Sequence, residues 1–259
     1  MKIIIEIGGQ RYATDKARGI SLAIPLQFDG PQPSFFDAPP ANATTLQAGG
    51  FTGDTRHGGS CNVRTLHLTP HCNGTHTESV AHVTHDGLPP ASSRTSLHGA
   101  TLISVSTERR AGEQVITARQ LENALAKFSD GQMRAALIVR TLPNDTAKLT
   151  RRYGDGTPWF EPAAMGLCAG IGVEHLLTDL PSLDPMHDAG RLAAHYAFWG
   201  LLPGERRGAR ATRPHCTVTE MIYVPDEAAD GYYLLDLQLP PFMTDAAPSR
   251  PIIYPLEVA

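Results

Sequence analysis

Apolar positions alternate with polar ones at both ends of the chain and in its middle, which predicts strands more often than helices. Residues 3–7 (Ile3, Ile4, Ile5, Glu6, Ile7) and 19–24, ending at Pro25, read as the first two strands. Val63, Thr65, His67 and Thr69 share one face of a strand over 62–69. Residues 101–107 and the apolar run 135–141 read as further strands, the second one buried, and 175–180 as an extended segment. Residues 217–224 and 232–239 alternate as two strands that are expected to pair with each other. Helical spacing is rarer. Thr117 and Gln120 have the form of a capping box, and Leu121, Leu125 and Phe128 follow at helical intervals, which predicts a helix over 118–128. Residues 161–169 read as a second helix. A third is expected over 189–199, capped by Asp188 and striped by Leu192, His195 and Trp199. Between residues 28 and 60 lies an irregular Gly- and Pro-rich stretch of the kind that covers or lines a site. With no repeat and no long linker, 1–259 is expected to be one mixed α/β or α+β domain.

Composition narrows the function classes. Hydrophobic residues make up 41% and charged residues 19% of the chain, values of a folded globular protein. The formal net charge is −4 without a basic block, which argues against nucleic acid as a partner; Arg206, Arg207, Arg210 and Arg213 are expected to form a solvated loop. No segment approaches the ~20 apolar residues that span a bilayer, and the N-terminus lacks a secretory core, so no membrane partner is expected. Cys61, Cys72, Cys168 and Cys216 are widely spaced without a CxxC pair, which fits a reducing, cytoplasmic setting. Cys168 is expected to be a small buried hydrophobe.

One segment carries most of the chemistry. Residues 70–82 read PHCNGTHTESVAH and hold His71, Cys72, His76, Glu78 and His82, all metal-ligating side chains, with Gly74 where the backbone can bend. Positions 72 to 82 of one parity face one side of a flat strand, but Cys72 and His82 would then lie ~33 Å apart, beyond the reach of one ion. His76 and Glu78 would be only ~6.6 Å apart. A helical turn after Glu78 would bring His82 onto the same face. The compact core is therefore His76 and Glu78, with Cys72 or His71 approaching from one side of Gly74 and His82 from the other. One segment cannot surround an ion, so ligands must come from elsewhere. His195 lies on the apolar stripe of its helix, and Glu220 interrupts an apolar strand; each is costly to bury without a cation or a hydrogen-bonding partner. Asp184 stands ready to orient a neighbour or cap a turn.

These residues resemble the cyclase-type metal-dependent hydrolases, the superfamily of bacterial kynurenine formamidase and isatin hydrolase. Its signature, His-x-Gly-Thr-His-x-Asp-x-Pro-x-His, is matched at Gly74, Thr75, His76 and His82. Residues 20–26 resemble the N-terminal Leu-Ser-x-x-(Ile/Leu)-x-Pro pattern. Residues 180–195 resemble the region that supplies a late histidine, and Glu220 falls where the family has its final glutamate. The resemblance implies a swivelling β/β/α fold and one or two divalent ions, zinc or manganese, that activate a water towards the carbonyl of a small amide or formamide. By position, His76 and Glu78 would bind a first ion, Glu78 would bridge to a second completed by His195 and Glu220, and His82 would act as general acid/base. A homo-oligomer, dimer or larger, is implied as well. Three positions depart from the signature: Cys72 replaces the first histidine, Glu78 the aspartate and Val80 the proline. A Cys72 thiolate would favour zinc; His71 is the alternative ligand. The expected activity is that of an arylformamidase-like hydrolase of a divergent subgroup. Phe35, Phe36 and Trp159 are candidate pocket walls. The alternatives are a cyclase or lyase on a small-molecule substrate and a lapsed binding protein on the same scaffold.

Overall fold

Strand Ala136–Leu142 sits near the middle of a nine-stranded mixed sheet, and its alternation explains the layering. Leu137 and Val139 pack on one side, Ala136 and Ile138 on the other, all fully buried. The computed structural model describes residues 1–92, 96–128 and 131–259. In chain order we label the sheet strands β1 (Ile20–Ser21), β2 (His76–Ser79), β3 (Leu97–Ser106), β4 (Ala136–Leu142), β5 (His175–Thr178), β6 (Thr217–Glu220), β7 (Gly231–Gln238), β8 (Ala246–Pro248) and β9 (Arg250–Pro255). Their order across the sheet is β8-β2-β6-β5-β4-β3-β7-β9-β1. The centre, β6-β5-β4-β3, is parallel; β2, β8, β7, β9 and β1 add antiparallel pairings at the two ends. Parallel strands of this kind are apolar throughout because both faces are covered.

Three helices cover one face: α1 (Ala118–Leu125), α2 (Pro162–Gly170) and α3 (Ala193–Trp199). Leu121, Leu125, Met165, Cys168 and Trp199 join Ile103, Leu137, Val139, Leu176 and Val218 in a single apolar layer. The opposite face is closed by Leu22, Ile222, Leu235 and Ile253. This is the mixed α/β arrangement that the swivelling β/β/α expectation describes. Among the described residues no helix is long and apolar enough to cross a membrane.

Most predicted elements appear where the pattern places them, and the capping box at Thr117 and Gln120 is complete. Several expectations change. The 217–224 and 232–239 strands do not pair: β6 joins β5 and β2, while β7 joins β3 and β9. The third helix begins at Ala193 rather than 189, because Ala189 and Leu192 adopt left-handed backbone at φ 58 and φ 47. Asp188 instead closes the preceding turn, accepting from the Gly190 and Leu192 N–H groups. The irregular 28–60 stretch contains the short strands Asn42–Thr45, Gln47–Ala48 and Phe51–Thr52. The arginine loop is only partly solvated, since Arg213 lies over the Phe198 ring and donates to the Phe198 carbonyl.

Candidate metal centre

The site forms on the helix-covered face near one end of the sheet. β2 and β6 run antiparallel with Glu220 opposite His76 and Val218 opposite Glu78. Opposed residues share a face, and Val218 belongs to the layer beneath the helices. His76, Glu78 and Glu220 therefore point towards α3, which contributes His195. Gly74, at φ 121, turns the chain into β2 through backbone space that other residues enter only with strain. Thr75 fixes that entry: its hydroxyl donates to the Met221 carbonyl at 2.5 Å and accepts from the Ile24 N–H at 2.9 Å. The Gly-Thr pair thus ties the N-terminal segment and the end of β6 to His76. After Ser79 the chain makes a 3-10 turn, Val80–His82, which brings His82 back over Glu78.

Glu78 is fully buried and central. Its Oε1 lies 3.0 Å from His195 Nε2, and its Oε2 lies 3.0 Å from His71 Nδ1 and 3.8 Å from His82 Nδ1. Glu220 approaches His76 Nε2 at 3.4 Å and His195 Nε2 at 3.6 Å. His195 Nδ1 is held by Asp184 at 2.5 Å. The same Asp184 carboxylate accepts the Ala194 and His195 backbone N–H groups, so it caps α3 and orients the imidazole together. Asp245, which no sequence signal marked, bonds His71 Nε2 at 2.8 Å. It precedes β8, the strand that pairs with β2 from the sheet edge, and only that pairing brings it here.

The charge balance is unusual. The ion pairs of Glu78, Glu220, Asp184 and Asp245 all run to histidines, with no lysine or arginine among them in the described residues. Burial raises the cost of the Glu78 charge, yet His82, His195 and His71 around it hold its carboxyl well below the usual range. Burial likewise opposes charge on His195, and Glu78, Asp184 and Glu220 override it and push that imidazole well above its ordinary value. His71, also partly buried, is raised to about 10 by Asp245 and Glu78. Buried carboxylates draw positive charge to themselves; protonated imidazoles supply it, or a cation does.

The donor atoms decide which. His76 Nε2, both Glu78 oxygens, His195 Nε2 and Glu220 Oε1 are buried and make no hydrogen bond, although they face one another. Such orphaned atoms are rare in a folded core. Among the described residues, three sets of ligand atoms lie within 4.8 Å of one another: His71, His76 and Glu78; His71, His82 and Asp245; Glu78, His82 and His195. A nitrogen and carboxylate set of this kind fits a divalent cation. Neither Glu220 nor Cys72 belongs to any of the three, but Glu220 reaches His76 Nε2 at 3.4 Å and His195 Nε2 at 3.6 Å, whereas Cys72 is buried, and burial with the nearby Glu220 charge raises its thiol. Phe35 packs with Tyr153 and Met221 just behind Glu220, and its N–H donates to the Cys72 carbonyl. Phe36 is exposed. Trp159 lines a separate cavity of about 290 Å³ with Met186 and His187, and so is not a wall of this site.

The sequence profile of the cyclase family matches residues 20–185, well over half of the chain. This chain belongs to the cyclase family. Solved structures carry the same fold at low identity. A predicted metal-dependent hydrolase from Bacillus stearothermophilus is 14% identical, with a TM-score of 0.61 over 91% of this cyclase-family chain and 97% of its own. Isatin hydrolase A from Labrenzia aggregata, bound to benzyl benzoate, is 15% identical, with a TM-score of 0.62 over 93% and 94%. An isatin hydrolase bound to the product analogue thioisatinate is 13% identical, with a TM-score of 0.60 over 92% of each. No curated protein sequence shows significant similarity to the chain.

Proposed function

We propose that this cyclase-family chain is a metal-dependent hydrolase of a small linear or cyclic amide, of the arylformamide class. The observation that carries the reading is the set of five buried, unbonded donor atoms on His76, Glu78, His195 and Glu220. These four residues would hold the ion, and Glu78, with one oxygen facing His195 and the other facing His71 and His82, is suited to bridge if two are bound. When bound, a divalent cation supplies a lowered water pKa and polarisation of a substrate carbonyl. Zinc and manganese both accept imidazole and carboxylate donors.

The chain's own residues do the rest. Asp184 holds His195 Nδ1, so that Nε2 would present its lone pair to a bound cation. The Gly74 carbonyl accepts from His76 Nδ1 at 2.9 Å and fixes that ring in the same sense. His82 is the least buried histidine of the centre, with a quarter of its side chain exposed, and its Nδ1 lies between Glu78 at 3.8 Å and Asp245 at 3.9 Å. Histidine at the mouth of a buried site is suited to take a proton from the attacking water and return it to the leaving amine. Met221, next to Glu220 in the chain, packs with Phe35 and Tyr153 in a buried apolar cluster.

Purified protein reconstituted with zinc or manganese should hold the ion near stoichiometrically and hydrolyse members of a panel of N-formylanilines, isatin and lactams. Chelation should abolish turnover, and His76→Ala should fail to retain the metal. Protein that stays metal-free after reconstitution, or loaded protein inert on the whole panel, overturns the reading.

A further inference from the structure

Three histidines of the centre are built alike. His195 places Nδ1 against Asp184 at 2.5 Å and turns Nε2 to Glu78 at 3.0 Å. His76 places Nδ1 against the Gly74 carbonyl at 2.9 Å and turns Nε2 to Glu220 at 3.4 Å. His71 places Nε2 against Asp245 at 2.8 Å and turns Nδ1 to Glu78 at 3.0 Å. In each ring an oxygen acceptor holds one nitrogen and turns the other towards a buried carboxylate, so that a cation bound in place of the second proton would meet that nitrogen's lone pair. That is how an imidazole ligand is held and oriented. The neighbouring Cys72 is built differently. Its backbone is tied to Thr69 and Phe35, and its sulfur joins none of the three converging ligand sets, whereas His71 joins two.

We propose that His71, positioned by Asp245, supplies the imidazole that the family signature places at residue 72, and that the Cys72 thiol is not a ligand. The inference rests on the metal-binding reading above. One consequence is chemical. A neutral imidazole in place of a thiolate leaves the ion facing the two charges of Glu78 and Glu220 instead of three, through nitrogen and oxygen only, which keeps manganese accessible alongside zinc. The other is structural. A carboxylate outside the signature, contributed by the segment before β8, becomes part of the site through strand pairing alone.

Cobalt(II) titration of the full chain tests this without reference to turnover. The parent spectrum should lack a thiolate-to-cobalt charge-transfer band, and Cys72→Ser should leave spectrum and affinity unchanged. His71→Ala should lose affinity to an extent comparable with His76→Ala. Asp245→Asn should weaken binding by roughly 10- to 100-fold at unchanged stoichiometry, as loss of an orienting carboxylate does. A thiolate band in the parent that disappears in Cys72→Ser overturns the proposal, as does parental affinity in His71→Ala. Loss of one of two bound cobalt ions in Asp245→Asn overturns the positioning role, because Asp245 would then be a ligand itself. If His76→Ala also keeps parental affinity, the metal-centre reading itself fails, whereas loss in His76→Ala alone removes only this inference. Circular dichroism of each metal-free variant checks folding, and the parent and Cys72→Ser spectra decide the thiol whether or not His71→Ala folds.

Discussion

Glu220 stands directly opposite His76 across the antiparallel β2–β6 pair, which brings its carboxylate to 3.4 Å from His76 Nε2 at 3% exposure of the residue. A strand register thereby brings an imidazole and a carboxylate together. Because opposed residues share a face, a one-residue slip of β6 would turn Glu220 away from His76 and put Thr219 in its place. Glu220→Gln keeps shape and register but removes one of the two carboxylate charges facing the donor cavity. Divalent-metal affinity should fall by more than about 100-fold, since loss of an outer-shell partner alone costs 10- to 100-fold. Competition against a chromophoric chelator measures it, and affinity equal to that of the parent would remove Glu220 from the ligand set.

Metal should also stabilise the fold. An ion that binds only the native state adds about 2.7 kcal/mol when free metal is 100 times Kd. For a chain of this size that corresponds to a rise in Tm of about 5–10 °C. Calorimetry with and without chelator reads the shift, which should vanish in His76→Ala. An unchanged Tm on chelation would mean that the buried carboxylates are balanced by protonated histidines alone.

Much of this cluster of imidazoles and carboxylates was legible in the sequence because ionisable side chains are costly to bury in apolar surroundings. His195 on an apolar helical stripe and Glu220 in an apolar strand stand out for that reason. The burial of 135–141 and the capping box at Thr117 follow from local pattern and also appear as read. What local pattern did not carry was long-range pairing. Sequence proximity of 217–224 and 232–239 suggested a hairpin, but β5, β4 and β3 lie between them in the sheet. Asp245 is polar in a polar neighbourhood, and only the pairing of β8 with β2 gives it a role. The start of α3 was set not by the nearby Asp188 but by Asp184, ten residues before Ala194 in sequence. A remote cap of that kind leaves no spacing signature.

His175 should make the fold acid-sensitive, away from the metal centre. It is buried, bonds Thr217 Oγ1 at 2.8 Å, and faces the His98 ring at 4.0 Å. Burial, with like charge on His98 and His215, pushes its pKa down to about 3. The native state therefore binds fewer protons than the unfolded state between about pH 6.5 and 3. Its contribution is complete above pH 6.5 and is lost as pH falls towards 3. Between pH 7 and 5 the loss is about 2 kcal/mol for this group. His175→Gln, which retains a hydrogen-bonding side chain, should flatten that part of the profile. Denaturant unfolding of both proteins at the two pH values checks the difference, and parallel profiles would show that His175 does not titrate with folding.

The Lys148–Asp179 pair offers a final test, of what holds the C-terminal ends of β4 and β5. Lys148 Nζ reaches Asp179 at 2.7 Å with both side chains buried, and it also donates to the Thr141 carbonyl at 2.7 Å. Asp179 in turn accepts from the Thr141 N–H and hydroxyl, each at 2.9 Å. Burial raises the Asp179 carboxyl, and the Lys148 charge and the Thr141 bonds only partly restore it. Breaking such a pair strands a charge and typically costs 3–5 kcal/mol, whereas replacing both partners by apolar residues is often neutral. Lys148→Met should therefore destabilise by about 3 kcal/mol or more, and Lys148→Met combined with Asp179→Leu should recover part of that loss. Recovery should be incomplete, because Asp179→Leu also leaves the Thr141 N–H without an acceptor. A double-mutant cycle by urea denaturation gives the coupling energy directly. Strictly additive losses would show that the two charges stabilise the fold independently, through the Thr141 contacts each of them makes.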